Sequence, residues 1–66
     1  MQLLINGEHR QVGQISNVAE LVDTLGLTGR RIAVELNEMI VPRTRHDTTP
    51  VNDGDRIEIV HAIGGG

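Results

Sequence analysis

The chain has 66 residues, with six arginines and no lysine set against nine acidic residues, a formal charge of −3, and neither cysteine nor any aromatic side chain. That length makes one small domain, close to the lower limit for a hydrophobic core without staples. The missing cysteines exclude disulfides, thiolate metal sites and cysteine nucleophiles, and the missing aromatics and negative charge argue against a nucleic-acid module.

Met1-Gln2-Leu3-Leu4-Ile5 is apolar over too short a run for a signal peptide or membrane span, so a soluble cytoplasmic protein without membrane or nucleic-acid partners is expected. Leu3 and Ile5 alternate with polar neighbours, and Asn6-Gly7 is a strong hairpin signal, so residues 1–12 should form a β-hairpin. Val18, Leu21, Val22 and Leu25 fall at i, i+3, i+4 and i+7, the apolar stripe of a short helix. Asn17 with Glu20 resembles a capping box at its start, and Gly26 is placed to stop it.

Ile32, Val34 and Leu36 alternate as a third strand, which Asn37-Glu38 turns into a short fourth, Met39 to Val41, ended by Pro42. Residues 43–50 read as polar and irregular. Asn52-Asp53-Gly54-Asp55 is a turn, and Arg56 to Ile63 a last strand. The order ββαβββ predicts an α+β fold in which a mixed sheet of four to five strands wraps one helix, with residues 1–62 as the domain and 63–66 as a glycine tail. The expected core is Leu3, Ile5, Val12, Val18, Leu21, Val22, Leu25, Ile32, Val34, Leu36, Ile57 and Ile59. Leu4, Val60 and Ala62 lie out of phase and should project from the uncovered sheet face, as scattered surface aliphatics or as a partner-docking patch.

Catalytic apparatus is hard to find. His9, His46 and His61 lack ligand-like spacing, Asp53 and Asp55 look like turn residues, and no glycine-rich nucleotide loop is present, so no metal and no bound cofactor are expected. Arg43 and Arg45 beside His46 form a small basic cluster, read as a solvated loop with only a weak phosphate signal.

The end of the chain, Ile63-Gly64-Gly65-Gly66, adds three glycines that cost conformational entropy and pack nothing. Two readings are open: a frayed end, or a slim arm that threads into a narrow cleft of a partner. The chemistry available to such an arm is that of the Gly66 carboxylate. Ionised at neutral pH, it is a poor electrophile until a partner transfers AMP from ATP to it, after which a persulfide or thiol can attack and leave a thiocarboxylate.

The β-grasp element order, Leu36-Asn37 leading to Ile40-Val41-Pro42-Arg43, Asp53-Gly54-Asp55-Arg56-Ile57 opening the last strand, and the glycine end together resemble the ubiquitin-like sulfur carriers, and among them the thiamine-biosynthesis sulfur carriers. The resemblance covers nearly the whole chain. It implies a carrier rather than an enzyme, adenylated and thiocarboxylated at Gly66, with Gly65, Gly64 and Ile63 as the partner-binding arm. It further implies an E1-like, ATP-using adenylating enzyme, a cysteine desulfurase relay and thiazole synthase as partners. A third glycine, Gly64, departs from the family's Gly-Gly ending. The small subunit of molybdopterin synthase, a ubiquitin-like protein modifier and an interaction module with an inert tail are the alternatives.

Overall fold

The computed structural model describes residues 1–61. Asn6 and Gly7 both take left-handed backbone angles, φ 50° and 81°, and turn the chain in two residues between β1 (Gln2–Ile5) and β2 (Glu8–Gln11). The hairpin is antiparallel, with Ile5 opposite Glu8 and Gln2 opposite Gln11.

Helix α1 (Val18–Thr24) begins as its sequence signals ask. The Asn17 side chain accepts from the Glu20 backbone N–H at 2.8 Å, while the Glu20 carboxylate accepts from the Ser16 N–H at 2.7 Å, one residue earlier than in a standard capping box. Its end is a Schellman motif: Gly26 at φ 74° donates to Asp23, and Leu27 donates to Val22. With only seven residues, α1 depends on the burial of Val18, Leu21 and Val22.

Strands β3 (Ile32–Leu36) and β4 (Met39–Val41) form a second two-residue hairpin through Asn37 and Glu38, at φ 50° and 71°. Residues 43–50 are more ordered than their polar composition suggests. Arg43–Arg45 is a turn of 3-10 helix, Ala19 N–H donates to the His46 carbonyl, Val18 N–H donates to the Thr49 carbonyl, and Asn17 forms an isolated bridge with Pro50. These bonds hold the segment against the start of α1 and bring Val51 into the core.

The last strand, β5 (Arg56–His61), ends within the expected range, and positions 62 and 63 of that expectation lie outside the described residues. It runs through the middle of a five-stranded sheet of order β2-β1-β5-β3-β4, parallel to β1 and antiparallel to β3. The expected mixed sheet with one helix is therefore the observed α+β architecture.

The core differs from expectation at its margins. Ile15, Val41 and Val51 are buried though absent from the expected set, whereas Val12, Leu25, Ile32 and Leu36 are only partly buried against it. Ile15 and Val51 lie in irregular backbone where alternation says nothing, and Val41 shares a face with Val34 across the β3–β4 pair.

Two asparagine side chains complete the grip on β5. Beyond the end of β1, the Asn6 amide takes the place of a peptide unit, accepting from Ile59 N–H at 2.7 Å and donating to the Ile59 carbonyl at 3.2 Å. At the other end Asn37 accepts from Arg56 N–H at 2.9 Å and donates from its own N–H to the Arg56 carbonyl at 2.7 Å. Asn6→Ala removes both side-chain bonds and leaves alanine in a left-handed conformation, so a loss of about 2–3 kcal/mol in denaturant unfolding is expected. A loss within error would show that the Asn6 bridge carries no stability. Glu38→Gly should do the reverse, adding about 0.5 kcal/mol. Relief of the left-handed angle outweighs glycine's entropy and a 3.5 Å contact with Arg56 between exposed side chains.

Candidate functional site

Whatever follows residue 61 leaves from the centre of the sheet, not from an edge. The β1–β5 pairing covers Leu4 with Arg56 and Ile5 with Ile57, and the Asn6 side chain extends it to Ile59. Past that point β1 has turned away at Asn6-Gly7, and β5 continues alongside β3 alone, Val60 opposite Ala33 and His61 opposite Ile32. By strand alternation the His61 peptide groups face the side that β1 has vacated. Ala62, Ile63, Gly64, Gly65 and Gly66, the expected arm and one member of the expected patch, lie outside the described residues.

The sheet face opposite α1 carries Leu4, Ala33, Glu35, Ile40, Arg56, Glu58 and Val60 by alternation. Val60 is 57% exposed and Leu4 half-buried, so both project from this face as expected. They do not touch as one patch, because Leu4 lies opposite Arg56, four residues or about 13 Å along β5 from Val60. Val60 instead has Ala33 directly across from it, next to Glu35 and Glu58, which face one another. Like charges in register disfavour pairing in isolation, so their place is unexplained by stability.

Sequence reasoning missed the two most exposed large apolar residues among those described, Met39 and Ile40, each 73% exposed on the short edge strand β4. Strand periodicity is ambiguous over three residues, and only the pairing of Ile40 with Glu35 shows which face it takes.

On the helix side, between α1, the loop before β3 and the 3-10 turn, lies a cavity of about 390 Å³ whose walls include Arg30, Arg43, His46 and Asp47. Arg43 is fixed there by donating from Nη2 to the Arg30 carbonyl at 2.8 Å. The basic cluster expected from sequence is thus divided: Arg43 and His46 face this cavity together with Arg30, while Arg45 lines a different groove beside β4.

The three histidines stand on three separate elements, and no group of three or more metal-binding side chains occurs among the described residues. Nor is any described helix long and apolar enough to cross a membrane.

Comparison with known proteins ties this geometry to a family. The ThiS family model matches residues 3–66. The chain is 35% identical to the sulfur carrier protein ThiS of Escherichia coli K12 over 66 residues, the whole of both chains. It is 47% identical over 66 residues to a thiazole synthase of Paramagnetospirillum magneticum, spanning only 20% of that protein's length. A crystal structure of the thiamine biosynthesis protein ThiS from Geobacter metallireducens superposes with a TM-score of 0.85 at 36% identity, covering all of both chains. Matched in sequence from its first strand onward and in fold throughout, the chain belongs to the ThiS family, the sulfur carriers of thiamine biosynthesis.

Proposed function

We propose that the chain carries sulfur on the main-chain carboxylate of Gly66, as a co-substrate of partner enzymes and not as a catalyst. The observation that carries this reading is the family match through residue 66 on a fold whose last described strand, ending at His61, is central in the sheet. An E1-like partner transfers AMP from ATP to a carboxylate oxygen and releases pyrophosphate. Sulfur supplied as a persulfide by a cysteine desulfurase relay then attacks the carbonyl, AMP leaves, and a thiol cleaves the S–S bond. The product is a thiocarboxylate, a soft nucleophile. ATP belongs to the partner, and the chain itself needs no bound cofactor. The setting is cytoplasmic, where the ATP-using partner works.

Thiazole synthase is the acceptor we favour, because a region of two proteins of that name matches this chain over its full length, at 47% and 33% identity. In both, the matching region is 20% of the whole.

Glycines 64–66 and Ile63 form the arm that the partners enclose. Backbone bonding along it continues naturally from the His61 peptide, whose groups face the vacated side of β5, as in recognition by strand addition. Val60 is the docking surface beside that arm, whereas Leu4, opposite Arg56, stands apart from it. An aliphatic side chain this exposed has more to gain against a partner than in the free domain.

The test is intact mass spectrometry of the chain after incubation with the activating enzyme, ATP and a sulfur source, where a gain equal to exchanging one oxygen for sulfur at the last residue is expected. Deleting Gly66, or adding one residue after it, should abolish adenylation while leaving the unfolding curve unchanged. An extended chain that is still adenylated and sulfurated without trimming would overturn the terminal-carboxylate mechanism. Val60→Asp should raise the KM of the activating enzyme for the chain about tenfold, equivalent to some 1.4 kcal/mol of lost contact, with kcat held. An unchanged KM would remove Val60 from the docking surface.

A further inference from the structure

The cavity beneath the 3-10 turn is not used by the chemistry of the tail, yet its construction is that of a binding site. Its volume, about 390 Å³, falls among those of small-ligand pockets. Val22 and Ile32 contribute apolar walls, while Arg30, Arg43, His46 and Asp47 supply polar ones.

Those walls are held by main-chain bonds. Ala19 N–H donates to the His46 carbonyl, tying the turn to α1, and Arg30 N–H donates to the Leu27 carbonyl across the loop that follows the helix. The Arg43 guanidinium is anchored through one nitrogen to the Arg30 carbonyl, which leaves its other N–H groups for a second acceptor.

The charge decides what fits. Among the lining residues, Arg30 and Arg43 against the single acid Asp47 leave one net positive charge, His46 aside, in a chain whose overall charge is −3. A monoanionic carboxylate matches that balance, and the guanidinium fork is shaped for it. A phosphate dianion exceeds it and would face Asp47 as well. The apolar walls ask for an aliphatic group beside the anion.

Position indicates where such a group comes from. Ile32, in the cavity wall, is also the β3 residue paired with His61, the last described residue before the tail. A protein that encloses the tail therefore comes alongside this cavity.

We infer that the Arg30–Arg43 cavity is a socket for an aspartate or glutamate side chain, with an apolar neighbour, on the surface of the enzyme that activates the tail. The inference rests on the carrier reading above for the identity of that enzyme, but the socket can be tested without it.

In the first arm the ¹⁵N-labelled full-length chain is titrated with the peptide acetyl-Leu-Asp-Leu-amide and, separately, with inorganic phosphate. Saturable amide shifts confined to residues 19–22, 27–32 and 43–47 are expected with the peptide. Arg30→Ala removes one guanidinium but keeps the carbonyl that anchors Arg43, and should weaken the peptide at least fivefold. Shifts elsewhere, shifts indifferent to Arg30→Ala, or phosphate binding more tightly than the peptide would each overturn the carboxylate socket.

In the second arm, ATP–pyrophosphate exchange by the activating enzyme is measured against chain concentration. Arg30→Ala should raise KM at least fivefold with kcat unchanged, and Arg10→Ala, the same loss of charge on the distant β2 edge, should not. Equal effects of the two variants reduce the socket to net charge and overturn it. If the wild-type chain is not adenylated at all while the peptide binds as expected, the carrier reading fails and the socket stands on the first arm.

Discussion

The structure depends on β5 being held from both sides. Parallel to β1 and antiparallel to β3, it is, among the described residues, the strand that joins the two hairpins into one sheet. The pairing with β1 is short, because β1 turns away after Ile5. The Asn6 side chain makes up for this by supplying a donor and an acceptor to Ile59 where a further β1 peptide would have stood. Asn37 does the equivalent at Arg56, adding a side-chain bond from Nδ2 to Asp55. Both asparagines occupy the first position of a two-residue turn with positive φ, a conformation asparagine tolerates better than most side chains. One residue type therefore serves twice at each site, turning its own hairpin and bonding the strand beside it.

That arrangement separates two surfaces. The uncovered sheet face has Glu35 against Glu58, with Val60 and Ile40 alongside, and is acidic and aliphatic. The helix side has Arg30 and Arg43 around a cavity and is locally basic despite the chain's negative charge. Both reach the same end of β5, through Val60 on one face and Ile32, the partner of His61, on the other. A protein approaching this end of β5 would thus meet opposite charges on the two sides. Such a pattern fixes orientation and suppresses wrong approaches more than it raises affinity.

Much of this was legible in the sequence, for reasons that differ by element. Asn6-Gly7 and Asn37-Glu38 announce turns through local backbone preference, and α1 is bracketed by Asn17 and Gly26 together with an apolar stripe of period 3.6. These signals are local and survive without knowledge of the fold. Ile15 and Val51 were not legible as core, because they sit in irregular segments positioned by bonds such as Val51 N–H to the Ser16 carbonyl, made between residues far apart in the chain. The socket was half legible: Arg43 and His46 are neighbours in sequence, but Arg30 joins them only when the chain returns past the end of α1. The break between Leu4 and Val60 was hidden for the same reason, since it follows from the register of β1 against β5.

Placing the critical strand in the middle also bears on how a domain this small resists local opening. Proteins open locally from their least-bonded margins, and here the margins are β2, exposed along its length, and β4, three residues long with Met39 and Ile40 in solvent. Either edge can detach while one ladder breaks. Releasing β5 requires breaking the ladders to β1 and β3 together, losing the asparagine bridges, and exposing Ile57 and Ile59, which together with Leu3, Val18, Leu21 and Val34 form the buried centre. Up to Ile59, β5 is therefore as stable as the whole domain, even though the domain is small and without disulfides, while Val60 and His61 are held by β3 alone. That asymmetry lets the edges give way while the strand that precedes the tail keeps its place in the sheet up to Ile59, as the carrier role proposed above requires.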